Sequence, residues 1–371
     1  MGGYNRGMPS PAFRSGIVSA LGAAALFGAS TPLAKLLVGA VPPVLLAGLL
    51  YLGSGIVLLA WWSWRRWRAR AGAHEAALTR RDIPWLAGAI LSGGVIGPLL
   101  LMLGLAHTQA ASASLLLNLE GVFTALLAWF VFRENFDRRI ALGMALIVAG
   151  GVLLSWPEEG GASTSLWALV IAGACLAWAI DNNQTRKVSA GDPVQIAGLK
   201  GLVAGLTNTG IALALGYTFP GATTTMAVAA VGVLGYGVSL VLFVLALRHL
   251  GSARTGAYFS TAPFIGAALS LVLLREAPGM LFWGAAGLMA VGVWLHLTER
   301  HAHQHEHEPL AHTHRHVHDA HHRHEHDFSW DGTEPHTHFH EHRPLVHSHP
   351  HYPDIHHRHA HRRAKEDDGR A

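Results

Sequence analysis

Charged and amide side chains stand inside long apolar stretches of this 371-residue chain, six of them singled out below, and 23 of its 27 histidines crowd into the last 71 positions. Those two groups are the candidates for chemistry. An ionisable group inside a bilayer is costly and by default marks a pathway or binding site. Glu120 lies in the middle of an apolar segment and cannot reach an interface, so it must face a cavity, pair with another group or hold a proton. That makes it the first candidate for substrate or proton binding. Asn118, two residues earlier, is a weaker candidate on a different helical face. Lys35 follows Ser30-Thr31-Pro32, where the proline is expected to interrupt the helix at a cavity. It also lies close enough to a segment end to snorkel to the headgroups. Lys200 is placed similarly, about two turns inside its segment. Either lysine could neutralise Glu120 or meet an anionic group of a substrate. Asp181-Asn182-Asn183-Gln184-Thr185 is a run of five polar residues. Such a run wraps all round a helix, so some of its members must face the interior.

The histidines repeat as H-x-H: His301, His303, His305 and His307, then His312, His314, His316 and His318, then His321, His322, His324 and His326, then His336, His338, His340 and His342. Neutral imidazole is a ligand for Zn²⁺, Ni²⁺, Co²⁺ and Cu²⁺. Nothing selects four ligands with the spacing of a closed structural zinc site, so many exchangeable sites are expected. The interleaved acidic residues and scarcity of apolar ones predict a disordered segment over 299–371.

The elements that must position the first group are helices. The chain is 51% hydrophobic and only 13% charged, about half the charge of a typical soluble domain. A bilayer core about 30 Å thick needs roughly 20 apolar residues per helix. Ten segments qualify approximately: 15–39, 43–63, 84–105, 109–132, 138–156, 165–186, 193–216, 226–247, 252–274 and 279–298. Barrel strands are excluded, because the runs are too long and continuously apolar. A soluble core is excluded because such helices have no polar face for water. The first run is too long for the apolar part of a cleavable signal and is expected to be retained.

Basic residues fall on alternate connections. Arg65, Arg66, Arg68, Arg70, Arg80 and Arg81 follow the second segment, Arg133, Arg138 and Arg139 the fourth, Arg186 and Lys187 the sixth, and Arg248 and Arg254 the eighth. The other connections carry Arg275, with Glu158 and Glu159 in one of them. Because cytoplasmic loops retain Lys and Arg, this predicts ten spans in a bacterial inner membrane with both termini cytoplasmic. Trp61, Trp62, Trp64 and Trp67 cluster where an interfacial aromatic belt would lie. The single cysteine, Cys175, excludes an intrachain disulfide.

An internal repeat is legible. AHTQAASASLLLNLEGVFTALLAWFVFRE (106–134) lies on RHLGSARTGAYFSTAPFIGAALSLVLLRE (248–276) without a gap. His107 falls on His249, Ala111 on Ala253, Leu127 on Leu269, and Arg133-Glu134 on Arg275-Glu276. Each half holds five segments. Five is odd, so the second half enters the membrane inverted, as in many secondary transporters.

The small-residue stretch, the TALLAW helix, the Arg-Glu after it and the Gly-rich fifth segment ending Gly150-Gly151-Val152 resemble the EamA repeat of the drug/metabolite transporter superfamily. The resemblance covers roughly 15–298. It implies ten helices around a central cavity, with helices five and ten peripheral, and outward movement of amino acids, other small metabolites or drugs. The chain departs from the family at Glu120-Gly121, where many members have a proline in the fourth helix. The second half keeps that proline as Pro263.

These readings predict a short cytoplasmic N-terminus (1–13), two repeats (14–156 and 157–298) and the tail (299–371). The all-α membrane unit is expected to be a gradient-driven exporter of a small metabolite, working by alternating access. Two rivals stand beside it: a Zn, Ni or Co transporter fed by the tail, and a non-transporting metal store or sensor. No nucleotide-binding glycine loop with its lysine is present, so neither an enzyme nor an ATPase is expected. No cofactor is required beyond divalent transition metal on the tail. The expected partners are lipid, a small-molecule substrate and metal ions, with a second copy of the chain admitted and nucleic acid excluded.

Overall fold

The structure is a computed structural model that describes residues 11–68, 78–132, 138–156, 162–189, 191–298, 302–307, 310–316, 336–342 and 345–350. It divides into a helical unit up to Glu299 and a second unit from Arg300. Arg70, Arg133, Glu134, Glu158, Glu159, His301, His318, His321, His322, His324 and His326 lie outside the described residues.

Every described element of the first unit is helical. The first two segments are α1 (Pro11–Val38) and α2 (Pro43–Arg68). The third is α3 (Ile83–Ala89), a π-helical turn (Ile90–Ile96) and α4 (Gly97–His107). The fourth is split into α5 (Ala110–Leu116) and α6 (Leu119–Phe132), and the fifth is α7 (Arg138–Leu154). The second half repeats the plan. It has α8 (Ala162–Val188), α9 (Pro193–Ala214), α10 (Ala222–Gly232), a π turn (Val233–Val238), α11 (Ser239–Phe259), α12 (Ala262–Leu273) and α13 (Met280–Leu297). Among the described residues nine stretches are long and apolar enough to cross a membrane, and Arg139–Leu154 is apolar but shorter. Large apolar side chains stand on the outside, Val272, Met226 and Met280 being 74%, 72% and 84% exposed. In water that would be unfavourable. Against acyl chains it is the expected surface.

The packing follows the repeat. α1 packs on α11 and α12, and its counterpart α8 packs on α4 and α6; α2 packs on α9, and α7 on α13. Each contact between segments has its mate with the halves exchanged, as an approximate two-fold axis demands. The α2–α9 contact is the most extensive. A Cβ on Gly201 would come within 2.7 Å of the Gly55 nitrogen, and one on Gly205 would fall on the Leu52 backbone. Small residues let membrane helices approach until their backbones touch.

The interruptions also recur. The register that lays residue 106 on 248 lays Ile90 on Gly232 and Ile96 on Val238, so the two π turns coincide. It lays Asn118 on Ser260 and Glu120 on Ala262. The fourth segment breaks at Leu117-Asn118 and the ninth at Ser260-Thr261, with Pro263 in the first turn of α12. Glu120-Gly121 therefore occupies the place of Ala262-Pro263.

Two expectations are corrected here. α1 runs unbroken through Pro32. Proline removes one helical hydrogen bond, but a neighbouring helix can cover the freed carbonyl, and Gly28 lies close against Ala262 and Gly266 of α12. The connection expected at 248–251 is helical, so α11 continues to Phe259. In the first half, by contrast, the chain is extended at Thr108 and Gln109.

The tail is a separate unit. Its described parts are strands: β1 (Ala302–His307), β2 (Leu310–His316), β3 (His336–His342) and β4 (Leu345–Pro350). β1 pairs antiparallel with β4 and β2 with β3. An H-x-H run has period two, the period of a strand. The pairing sets His303 opposite His349, His305 opposite His347, His312 opposite His340, His314 opposite His338 and His316 opposite His336.

Candidate functional site

Where the two halves meet, a cavity with about 480 Å³ of empty space, its open mouth included, is lined from both repeats. Its polar side chains are Glu120, Asp181, Asn182, Lys200 and Ser239, and its walls are largely aromatic.

Glu120 sits in the first turn of α6, just after the break. The positive end of a half-helix favours a carboxylate there. Asn182 Nδ2 donates to Glu120 Oε1 at 2.7 Å. Four residues of separation from Trp178 put Asn182 on the same face of α8 as that cavity-lining indole.

Lys200 and Asp181 answer each other instead. The ammonium, 1% exposed, donates to Asp181 Oδ1 at 2.5 Å, to Oδ2 at 2.8 Å and to Thr185 Oγ1 at 3.1 Å. Thr185 in turn donates to Asp181 Oδ1 at 2.7 Å. A lysine ammonium has three protons to donate, and here each has an acceptor.

The π turn of the first half supports this arrangement. A π turn displaces carbonyls from the regular ladder. Gly93 O accepts from Tyr51 Oη at 3.0 Å and from Trp178 Nε1 at 2.9 Å. Asn208 Nδ2 reaches Gly94 O and Val95 O at 3.3 and 3.4 Å. The second π turn delivers Gly235 and Tyr236 to the wall. Phe27 is the hub of the aromatic lining, with ring centroids 5.7 Å from Trp178, 5.9 Å from Tyr236 and 5.4 Å from Phe259.

Of the six residues singled out in the membrane segments, the structure brings together Glu120, Asp181, Asn182 and Lys200. The other two lie elsewhere. Lys35 Nζ donates to Leu105 O at 2.6 Å and Thr108 O at 2.7 Å, closing the C-terminal end of α4. On the other side of that bend Glu276 accepts from Ala110 N and Ala111 N, both at 2.8 Å, capping α5. A cation at one helix end and an anion at the next helix start match both dipoles. Asn118 Nδ2 donates to Leu115 O at 3.1 Å beside the break. Neither lysine neutralises Glu120. The aromatic wall escaped the sequence reading, because an aromatic residue in an apolar helix looks the same whether it faces lipid, core or cavity. The glycine pairs around the π turns, Gly93-Gly94 and Gly235-Tyr236-Gly237, were the available signal.

The EamA-like transporter family model matches residues 14–156 and again 165–298. The chain belongs to the EamA-like transporter family. The two matches coincide with the two five-segment halves, and membership places the chain among the multi-pass transporters of the drug/metabolite transporter superfamily, which move small substrates across membranes. An uncharacterized transporter of Methanothermobacter thermautotrophicus is 32% identical over 295 residues, covering 76% of this chain and 85% of that protein. A probable 4-amino-4-deoxy-L-arabinose-phosphoundecaprenol flippase subunit ArnE of Pseudomonas fluorescens is 38% identical over 112 residues, 30% of this chain but 92% of that protein. A stretch the size of one repeat is there nearly a whole protein. A solved crystal structure superposes with a TM-score of 0.58 at 18% identity, covering 77% of this chain and 97% of that one, a likeness of fold.

Proposed function

We propose that this EamA-like protein is a gradient-driven secondary transporter that exports a small metabolite, with Glu120 as the group that binds substrate or a proton. The carrying observation is the placement of Glu120. It is a carboxyl in a cavity shared by both repeats, with an amide as its one partner among the described residues. A carboxyl without a fixed counter-ion can exchange a proton for a ligand as the cavity changes sides. The paired interruptions in the third and eighth and in the fourth and ninth segments support alternating access, since each half can adopt what the other now holds. The alternation of basic connections supports an inner-membrane setting with both termini cytoplasmic.

The His-rich tail is proposed to bind divalent transition metal ions such as Zn²⁺, Ni²⁺, Co²⁺ or Cu²⁺. The cross-strand register supports this. His312, His314 and His316 stand opposite His340, His338 and His336, and directly opposed residues of an antiparallel pair share a face. The metal is proposed as a ligand of the tail and not as cargo. Among the described residues the cavity lining has no histidine or cysteine and one uncommitted carboxylate, Glu120, which is too few ligands for a dehydrated dication.

Inverted membrane vesicles test both parts. Zinc, nickel and cobalt uptake is compared for the full-length chain, a chain stopped at Glu299 and Glu120→Gln. No metal movement by any of them, together with metal binding that disappears on truncation, is the expected result. Metal movement that fails in Glu120→Gln would overturn the metabolite reading.

A further inference from the structure

The charges and aromatic walls of the cavity specify what it takes. We infer that the substrate is an organic cation, a small molecule carrying a protonated amine on an apolar or aromatic body. This rests on the transporter reading of the same cavity and names its substrate class.

Three observations carry it. First, the titratable side chains lining the cavity are Glu120, Asp181, Lys200, Tyr51 and Tyr236. Lys200 and Asp181 cancel, and with Glu120 ionised the cavity holds one unneutralised negative charge. Lys200 has no proton left for an anionic substrate, because Asp181 and Thr185 accept all three. An anion would find no donor there and would stand beside Glu120.

Second, Glu120 uses only Oε1, for the Asn182 amide. Among the described residues Oε2 has no partner, and a carboxylate can accept at both oxygens. Tyr236 is buried in the wall of the same cavity, with Ser30 beside its hydroxyl. An alkylammonium can donate to that open carboxylate oxygen.

Third, the walls are π systems. Tyr51 lies 5.2 Å from Tyr236, Tyr236 5.9 Å and Phe259 5.4 Å from Phe27, Phe243 4.9 Å from Phe259, and Trp178 5.7 Å from Phe27, all between ring centroids. Aromatic rings attract a cation where water is excluded, and they accept an apolar body. A neutral solute would gain the second benefit without repaying the desolvation of Glu120.

Three probes with one shared body separate charge from shape: phenethylamine, 2-phenylethanol and phenylacetate. Their binding to the purified full-length protein is measured by calorimetry at mildly alkaline pH, where carboxylate and ammonium are both charged. Saturable binding of phenethylamine is expected, with the alcohol and the acid at least about tenfold weaker. Glu120→Gln is expected to weaken the amine about tenfold or more, and Glu120→Asp to keep most of the affinity. The last variant separates lost charge from a lost fold. Equal binding of the three probes, preference for phenylacetate, or amine affinity unchanged in Glu120→Gln would overturn the cation assignment. Counterflow of labelled phenethylamine in proteoliposomes reads the transport step separately. Amine binding without exchange would sink the transporter reading and leave the cation site standing. Exchange of another solute without amine binding would do the reverse.

Discussion

Lys200 and Asp181 form a closed ion pair 2.5 Å apart in the middle of the bundle, and that pairing leaves Glu120 alone with an amide. A buried ion pair contributes little over an apolar pair of similar volume, yet breaking it leaves a charge uncompensated. The pair thus ties α8 to α9, two helices of the second repeat, while the cavity's unbalanced charge comes from α6 of the first.

Removing one partner of that pair is predicted to be much worse than removing both. Asp181→Leu or Lys200→Met alone should cost about 3–5 kcal/mol. Asp181→Leu combined with Lys200→Met should recover most of that loss. Thermal unfolding in detergent, arranged as a double-mutant cycle, reads the coupling; additive losses would contradict it.

Glu120→Gln is predicted to separate function from fold. The substituted amide oxygen can still accept from Asn182, so stability should change by less than about 1 kcal/mol. Transport and its dependence on a pH gradient should be lost. Matching melting curves beside a flat flux-versus-pH profile are the expected pair of results.

At the α2–α9 contact, Gly201→Leu or Gly205→Leu is predicted to prevent correct assembly, because each new side chain would meet backbone in the opposite helix. Gly39→Ala meets nothing within 4 Å and should be silent. Yield of monodisperse protein on gel filtration compares them, and a normal yield of Gly205→Leu would argue against the close packing.

The bend at Thr108-Gln109 is predicted to depend on Glu276. Glu276→Ala removes the acceptor for two backbone N–H groups at the start of α5 and should cost about 1–2 kcal/mol. Glu276→Gln, which keeps an acceptor but loses the charge, should cost less. Hydrogen exchange at Ala110 and Ala111 should rise in the alanine variant and change less in the glutamine one.

Much of this molecule is written in its sequence, and the reason is the solvent. A bilayer forces each crossing to satisfy its own backbone, so the apolar runs announced the helices to within a few residues and the odd number per half announced the inversion. The recurrence of 106–134 in 248–276 showed the repeat, and the resemblance of its motifs to the EamA repeat pointed to the superfamily. Glu120, Asp181, Asn182 and Lys200 were legible as candidates for the same reason, since a polar residue in an apolar run has few places to go. What stayed hidden depends on which helix stands beside which. Lys35 had the same sequence character as Lys200, but α1 delivers it to the end of α4 and not to the cavity. The expected break at Pro32 gave way to breaks at Leu117-Asn118 and Ser260-Thr261, because α12 packs closely on α1 where proline frees its carbonyl. The tail's alternation carried a strand period, but only the pairing says which histidines face one another. The sequence by itself determined the helices, their inversion and the polar residues among them. Tertiary packing decided which of those charges cancel and which one stands alone, because partnership between side chains on different helices is a matter of distances that one-dimensional spacing does not contain.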